Sequence, residues 1–479
     1  MNRRNLGELL GSITLADIVN PRMAGFALTR AWAYIMFFST VIHYSTRNDL
    51  THLNSTVTWA ALGASCIMVA AALFARPFYT RFLTRRWLPA ALAILLLSLM
   101  VLLVLIDIIN EEWFQQPWCS MFCFTAGVGL GILYLGWGGT YADSNEAKVA
   151  VEVTASFLFA ALLFAAVVAL PRTIGIAATM VILVLGIRLL FHTQGAWKRQ
   201  SLLAPVRLSK SRFMARALAS AGILGFTESC VQELFVDMSP VLGVDYYCLV
   251  LPVAALIATA IMGVTLFTPR DSSEYPFAYR VVLFTMALIY LLLPIVDRGT
   301  FFADVLALTA YCLVSMLVWI VLVRTESRYH LSPLVVFGFG WGLMTAGSLC
   351  GTWVGGFMLS FIEMTPRLLS VIALISTCLL LFAYFFLFNE RSVMELTSER
   401  GADGEVRPFR NRCEEVARQY KLSAKETEVM ILVAKGRSTP RICEELDISQ
   451  GTANTHLTHI YKKMDVHDRQ QLIDVLEGR

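Results

Sequence analysis

The chain has 479 residues, 57% of them apolar and only 15% charged, with a mean hydropathy of +0.64. A soluble domain averages about 45–50% apolar and about 25% charged residues. This composition excludes an ordinary soluble enzyme, a disordered chain and a disulfide-stapled miniprotein. Charge is also uneven: 30 charged residues fall in the last 89 positions, from Arg391 onward, and 44 in the 390 before them. The chain therefore divides into a long apolar body and a short tail of soluble composition. From Arg410 the tail carries 12 Lys/Arg against 11 Asp/Glu, so it is nearly neutral. Cys413 and Cys443 stand singly, and Cys119 and Cys123 fall i,i+4 in an apolar run, so the cysteines form neither a disulfide framework nor a metal motif.

A bilayer core needs about 20 consecutive apolar residues per helix. Runs of that kind predict twelve spans, at roughly 26–45, 55–75, 88–109, 118–142, 149–170, 172–192, 214–238, 246–268, 281–296, 300–323, 332–361 and 366–389. An even number puts both ends on one side. The loops after spans two and six hold Arg76, Arg81, Arg85 and Arg86, and Lys198, Arg199, Arg207, Lys210 and Arg212. The alternate loops are poor in Lys and Arg, so the bias places both termini in the cytoplasm. Residues 1–25 read as a cytoplasmic amphipathic segment with no signal-peptide cleavage pattern.

The basic loop at 193–213 splits the body into six plus six spans. That organisation resembles the major facilitator superfamily of transporters over about 390 residues. The resemblance rests on topology: of the family's charged loop motif after span two, Thr84-Arg85-Arg86 keeps only the paired arginine. It implies a central cavity lined by spans 1, 4, 7 and 10.

Polar residues inside a span are costly and mark function. The first span carries Arg30, Tyr34, Phe37, Val41 and Tyr44 as one stripe, the fourth carries Tyr134, Trp137 and Tyr141, and the seventh carries Glu228, Gln232, Glu233 and Asp237. Arg30, Tyr34, Tyr134, Trp137, Glu228 and Gln232 are the candidate ligand-binding residues. An aromatic cavity with one Arg and one or two carboxylates suits a small aromatic or polar molecule. Glu152 and Asp107 lie near span ends, where an interfacial position is expected. The GxGxG runs at Gly127–Gly131 and Gly338–Gly342 have membrane helix on both flanks, so they read as close helix packing and not as a dinucleotide fingerprint.

Residues 390–421 read as a linker with a short connecting helix, and 422–479 as a soluble domain. Ser423-Ala-Lys-Glu426 is a capping box, and Gly436 ends the helix it opens. Ser438 caps a second helix near Pro440, and Ser449 caps a third reaching about Met464. A fourth runs from about Asp468 to Leu476. Four short helices with a tight second-to-third turn make a helix-turn-helix. Together with the body, the expected fold is all-α.

Residues including Leu422, Ser423, Glu426, Val429, Gly436, Ile442, Leu446, Gly451, Thr455, Ile460, Lys463 and Arg469 resemble the LuxR-type (GerE-like) DNA-binding domain. The whole chain resembles membrane-bound LuxR-type regulators of some actinobacteria. From Ile448 to Met464 the third helix has no acidic residue. Its candidate DNA contacts are Gln450, Thr452, Asn454, Thr455, His456, Thr458 and His459 near the start, with Lys462, Lys463 and Arg469 beyond. Asn and Gln pair with adenine in the major groove, and basic groups hold phosphates. Asn454 stands where the family usually has Lys.

A near-neutral domain neutralises few phosphates, so a dimer on a pseudo-palindrome is the expected working unit. In the family the fourth helix commonly forms that contact, which places Leu472, Ile473 and Leu476 there. The expected partners are double-stranded DNA, the lipid bilayer and a small-molecule ligand, with no cofactor, no metal and no enzymatic activity. The reading is a membrane-embedded, ligand-sensing transcription regulator in a bacterial cell membrane. The alternative is a major-facilitator-like transporter that carries a regulatory DNA-binding tail.

Overall fold

The computed structural model describes residues 20–39, 41, 51–74, 88–109, 117–141, 146–193, 211–235, 247–267, 275–296, 300–329, 332–387, 416–417, 420, 422–434, 439–446, 448–464, 466 and 471–472. The chain forms two compact units, Met1–Thr397 and Ser398–Arg479. The described residues are helical, with no strand among them.

The first unit holds twelve long helices among its described residues. They are α1 (Pro21–Phe38), α2 (Thr51–Leu73), α3 (Leu88–Ile109), α4 (Pro117–Tyr141), α5 (Glu146–Val168) and α6 (Arg172–Thr193), then α7 (Ser211–Phe235), α8 (Tyr247–Phe267), α9 (Tyr275–Leu292), α10 (Phe301–Tyr329), α11 (Pro333–Phe361) and α12 (Pro366–Leu387). Seven are long and apolar enough to cross a membrane, and α2, α3 and α9 add shorter apolar stretches. The two others, α1 and α7, carry the buried Arg30 and Glu228.

Helix α1 begins about five residues before the predicted span because of its cap. The Asn20 side chain accepts from the Met23 backbone N–H at 2.9 Å, and Pro21 follows, with its ring already set for a first turn. Helix α1 ends at Phe38, where Ser39 turns extended, so buried Val41 lies in a turn beyond the helix and not on its stripe. Tyr44 and the segment 1–19 lie outside the described residues, as does Asp237. Glu152, near a span end, is fully buried in the protein. Its carboxylate receives Arg22 Nε and Nη2, both at 2.8 Å, and Asn20 Nδ2 at 2.6 Å, while Arg22 Nη1 donates to the Thr140 carbonyl at 3.3 Å. One ion pair thus fastens the start of α1 to α5 and the end of α4.

The packing repeats between the two sets of six helices. Helix α1 packs on α5 and α6, as α7 packs on α11 and α12; α2 meets α4, as α8 meets α10. The halves join through α2 with α11 and through α5 with α8. Large apolar side chains stay exposed on α3 (Ile94, Leu105), α6 (Val181, Leu185), α9 (Phe284, Leu288) and α12 (Leu374, Phe382). A row of such exposed side chains on every third helix fits a surface solvated by lipid tails.

Where helices cross, glycine lets backbones touch. A Cβ on Gly127 would overlap the Ala60 carbonyl of α2, and one on Gly225 the Met344 carbonyl of α11. Gly129 and Gly131 of the same run meet Leu96 and Ile67, while Gly338 and Gly342 meet Met68. Both GxGxG runs are helix-packing surfaces, where close approach replaces the hydrophobic force that lipid removes.

The second unit holds α13 (Ala424–Ala434), α14 (Thr439–Leu446) and α15 (Gln450–Met464). Val429, Val433, Ile442, Ile460, Met464, Val466 and Leu472 form its core with Val416. The expected fourth helix is described only at Gln471 and Leu472. Arg469, Ile473, Leu476, Gly436 and Ser438 lie outside the described residues.

Gly127→Val should lower the thermal midpoint of the detergent-purified protein or prevent its recovery, because the clash is with backbone. Gly263→Ala, at a position with no neighbour within 4 Å, should leave the midpoint unchanged or slightly raised. Equal melting of the two variants would contradict the glycine contact.

Candidate ligand cavity and nucleic-acid interface

A cavity of about 440 Å³ lies between the two halves of the membrane unit, walled by α1, α2 and α4 on one side and α7, α10 and α11 on the other. This is within the size range of small-molecule sites. Tyr34, Phe37 and Phe38 come from α1, Leu130 and Tyr134 from α4, and Ser229, Gln232 and Glu233 from α7. Of the six candidate residues, Tyr34, Tyr134 and Gln232 line it directly, whereas Arg30, Trp137 and Glu228 do not.

Trp137 is packed away from the cavity: its Nε1 donates to Thr29 Oγ1 at 2.9 Å, and its ring lies 6.2 Å from that of Phe26. Phe26 also stacks on Trp319 of the second half at 4.5 Å, and Trp319 meets Phe337 at 4.9 Å and Trp341 at 5.2 Å. These rings form an aromatic cluster that adjoins the cavity. Tyr134 and Trp341 belong to both, with ring centroids 5.8 Å apart.

Arg30 stands directly behind Tyr34. It is 1% exposed and does not snorkel to an interface. Its Nη2 donates to Tyr34 Oη at 2.8 Å, and its guanidinium lies 3.4 Å from the Phe157 ring centroid. Nε and Nη1 have no hydrogen-bond partner in the protein. Taking a guanidinium out of water costs at least several kcal/mol. The ring contact offsets about 2 kcal/mol and the charged hydrogen bond about 1.5–3 kcal/mol, a return of the same order as the penalty, while two of the three nitrogens stay without a hydrogen-bond partner in the protein. Glu228 mirrors it on α7: it is 2% exposed, it accepts from Ser229 Oγ at 3.3 Å, and its Oε1 has no partner.

Composition alone missed the contribution of α10 and α11. Tyr311 and Ser315 line the cavity from α10, and Trp341, Thr345, Ser348 and Thr352 from α11. The last four recur at 4/3/4 spacing, the stripe signal that also marks α1.

The second unit offers a different kind of surface. The capping box forms as expected: Ser423 Oγ accepts the Glu426 N–H at 3.3 Å and the Glu426 carboxylate accepts the Ser423 N–H at 2.6 Å. Ser449 caps α15 through the Thr452 N–H at 3.2 Å. Helix α15 buries Ala453, Ile460 and Met464 and leaves Gln450, Thr452, Asn454, Thr455, Thr458, His459, Lys462 and Lys463 exposed, with His456 half-buried. Several of these groups are already used. Thr455 and Thr458 hydroxyls donate to the Gly451 and Asn454 carbonyls at 2.9 Å, and the Thr452 hydroxyl meets that of Ser449 at 2.8 Å. Gln450 and Asn454 keep their amide groups uncommitted.

Lys463 is committed as well, since its Nζ lies 2.6 Å from Glu426 Oε2, with His459 Nδ1 3.7 Å from Oε1. The capping carboxylate of α13 thereby anchors the far end of α15. Burial alone would raise the Glu426 carboxyl, but the Lys463 ammonium and the Ser423 N–H outweigh it and hold it at about 2, against an ordinary 4.5. Ionised Glu426 therefore stabilises the unit fully above pH 4.5, and the contribution is lost as pH falls from 4.5 to 2. In a 398–479 fragment, Glu426→Gln should flatten the fall of the thermal midpoint across that window. A parental slope retained in the variant would assign the acid sensitivity to other carboxylates.

Comparison with known proteins places these two surfaces. Residues 420–476 match the family of bacterial regulatory proteins, luxR family. The transcriptional regulatory protein LiaR of Bacillus subtilis is 44% identical over 50 residues, 10% of this chain and 24% of its own. The response regulator protein VraR of Staphylococcus aureus is 37% identical over 66 residues, 14% of this chain and 32% of its own. The chain spans less than half the length of these relatives. The membrane unit is similar in structure to the human organic anion transporter MFSD10, with a TM-score of 0.54 and 12% identity over 78% of this chain and 99% of that one. A bacterial homologue of the iron transporter ferroportin, in its outward-facing state, gives a TM-score of 0.53 and 12% identity over 79% and 100%. The chain thus joins a LuxR-type helix-turn-helix at 420–476 to a multi-pass membrane body with a major-facilitator-like fold.

Proposed function

We propose that the protein is a membrane-embedded transcription regulator that senses a small molecule in the cavity of its body and reads DNA with α15. The observation that carries this reading is the presence, in one chain, of a transporter-like body with a 440 Å³ cavity and a helix-turn-helix with an uncommitted polar face. Gln450 and Asn454 meet base edges, and Lys462 meets phosphate. Thr452, Thr455, Thr458, His456 and His459 complete the contact surface, and Lys463 holds α15 in place. Arg469 would add a phosphate contact beyond the helix. The working unit is a homodimer through the fourth helix. The Lys/Arg bias of the loops supports cytoplasmic placement of both termini, and the match to bacterial regulatory proteins supports a bacterial cell membrane. Ligand binding acts by favouring one of two arrangements of the body, and only a difference in affinity between them can drive the switch.

The fold of the body also favours a second reading, a transporter with a regulatory tail. Transcript comparison between a deletion strain and its parent tests the first, with changed expression of a defined gene set as the expected outcome and no change as the contrary one. Uptake into vesicles of a molecule shown to bind separates the two: binding without flux is expected of a sensor, and accumulation of a transporter.

Within the DNA-binding surface, Asn454→Ala should cost about 1–3 kcal/mol of discrimination at one base position. Lys462→Ala should weaken binding to all sequences and reduce the salt slope by about 1, without altering stability. Lys463→Ala should lower the thermal midpoint of the 398–479 fragment. Salt titration and melting of the three variants check the division, and identical behaviour of Lys462→Ala and Lys463→Ala would overturn it.

A further inference from the structure

The two walls of the cavity differ in hydrogen-bonding sense. On α1, Tyr34 Oη accepts from Arg30, so the hydroxyl proton is left to be given into the cavity that Tyr34 lines. The guanidinium also interacts electrostatically with Tyr134 and Tyr311, and both line the same space. Three phenol groups there carry the influence of one buried cation. On α7 the sense reverses. Ser229 donates its proton to Glu228, which leaves its oxygen an acceptor in the wall, and Gln232 and Glu233 stand beside it there.

Arg30 and Glu228 also act electrostatically on the same turn of α10, at Tyr311 and Cys312. Yet no ion pair joins them, and each keeps side-chain atoms without a protein partner. A bundle that needed only to neutralise two buried charges would bring them together. Here they stand behind walls contributed by different halves, with the cavity between those halves.

We propose that the cavity binds a small amphoteric molecule, its anionic group against Tyr34 with Arg30 behind and its cationic nitrogen against Ser229 and Glu233 with Glu228 behind. The apolar body of the molecule lies between, against Phe37, Trp341 and Leu349. This rests on the reading of the cavity as the sensing site and names the class of molecule sensed. Such a ligand bridges the halves through charge, so its binding depends on their spacing.

The test uses the full chain in detergent and three probes with a common indole body: L-tryptophan, indole-3-propionate and tryptamine. At neutral pH these are amphoteric, anionic and cationic. Tryptophan should raise the thermal midpoint at a concentration about ten-fold lower than either analogue, the factor one modest contact is worth. In Arg30→Met, tryptophan and tryptamine should become equivalent. In Glu233→Gln combined with Glu228→Gln, tryptophan and indole-3-propionate should become equivalent. Without any probe, Arg30→Met should melt at or above the parent, because it removes a buried cation two of whose nitrogens lack a hydrogen-bond partner in the protein; a purely structural arginine would lower the midpoint on loss.

Absence of any probe effect, equal effects of all three, or a lowered midpoint in probe-free Arg30→Met would each overturn the proposal. These outcomes are separate from the fate of the sensing reading. Amphoteric selectivity in a protein whose deletion changes no transcript would remove the sensor role and leave the cavity chemistry. Lost selectivity with regulation intact would do the reverse.

Discussion

The burial of Arg30 constrains the rest of the membrane unit. A guanidinium cannot shed its charge, and in a lipid environment it must be enclosed by protein. Helix α1 therefore lies inside the bundle, with Phe157 of α5 across the guanidinium face and Tyr34 at its edge. The Arg22–Glu152 ion pair fixes the start of the same helix, which sets the depth at which Arg30 sits. With α1 inside, helices α3, α6, α9 and α12 contribute much of the outward apolar surface. The cavity falls between the inner helices of the two halves.

The repeat in packing gives this arrangement a mechanical consequence. The halves meet through α2 with α11 and α5 with α8, and through a cross-half cluster of Phe26, Trp319 and Phe337. Tyr134 and Trp341 touch that cluster and also line the cavity. On the sensing reading, a ligand in the cavity lies against Tyr134 and Trp341, two rings in contact with that cluster. A change in the cavity is then a change in the contact between halves. Aromatic packing of this kind is close to all-or-none, because interdigitated side chains shift between discrete arrangements rather than by small slides.

Much of this was legible in the sequence, and what was not has physical causes. Hydropathy located all twelve long helices, because a bilayer demands a run of apolar residues that chance does not supply. Caps gave the helix starts in the second unit, where Ser423, Glu426 and Ser449 form the bonds that their spacing implies. The start of α1 was missed because a cap from Asn20 counts for more than the polarity of Arg22, which is neutralised by Glu152, 130 residues away. Long-range pairing of that sort leaves no local trace. The same limit explains Lys463: its charge reads as a phosphate contact until Glu426 is seen 2.6 Å away. Tyr311 and Ser315 sit in a helix whose average is strongly apolar, so composition hid them, although the α11 stripe was available to a periodicity search.

The two units share a logic in how charge is used. In each, an ion pair among the described residues fixes a helix end, Arg22–Glu152 in the bundle and Lys463–Glu426 in the helix-turn-helix. Each also has polar groups left without a protein partner: Arg30 Nε and Nη1 and Glu228 Oε1 in one, and the amides of Gln450 and Asn454 in the other. In the exposed unit, water satisfies the uncommitted groups at little cost, and a partner has only to displace it. Within the bundle they are buried without a hydrogen-bond partner, and on the sensing reading a ligand of matching charge recovers what the fold forgoes. Substitutions at the committed pairs act on stability first. Those at the uncommitted groups act on recognition, and in the bundle they can raise stability while they remove it.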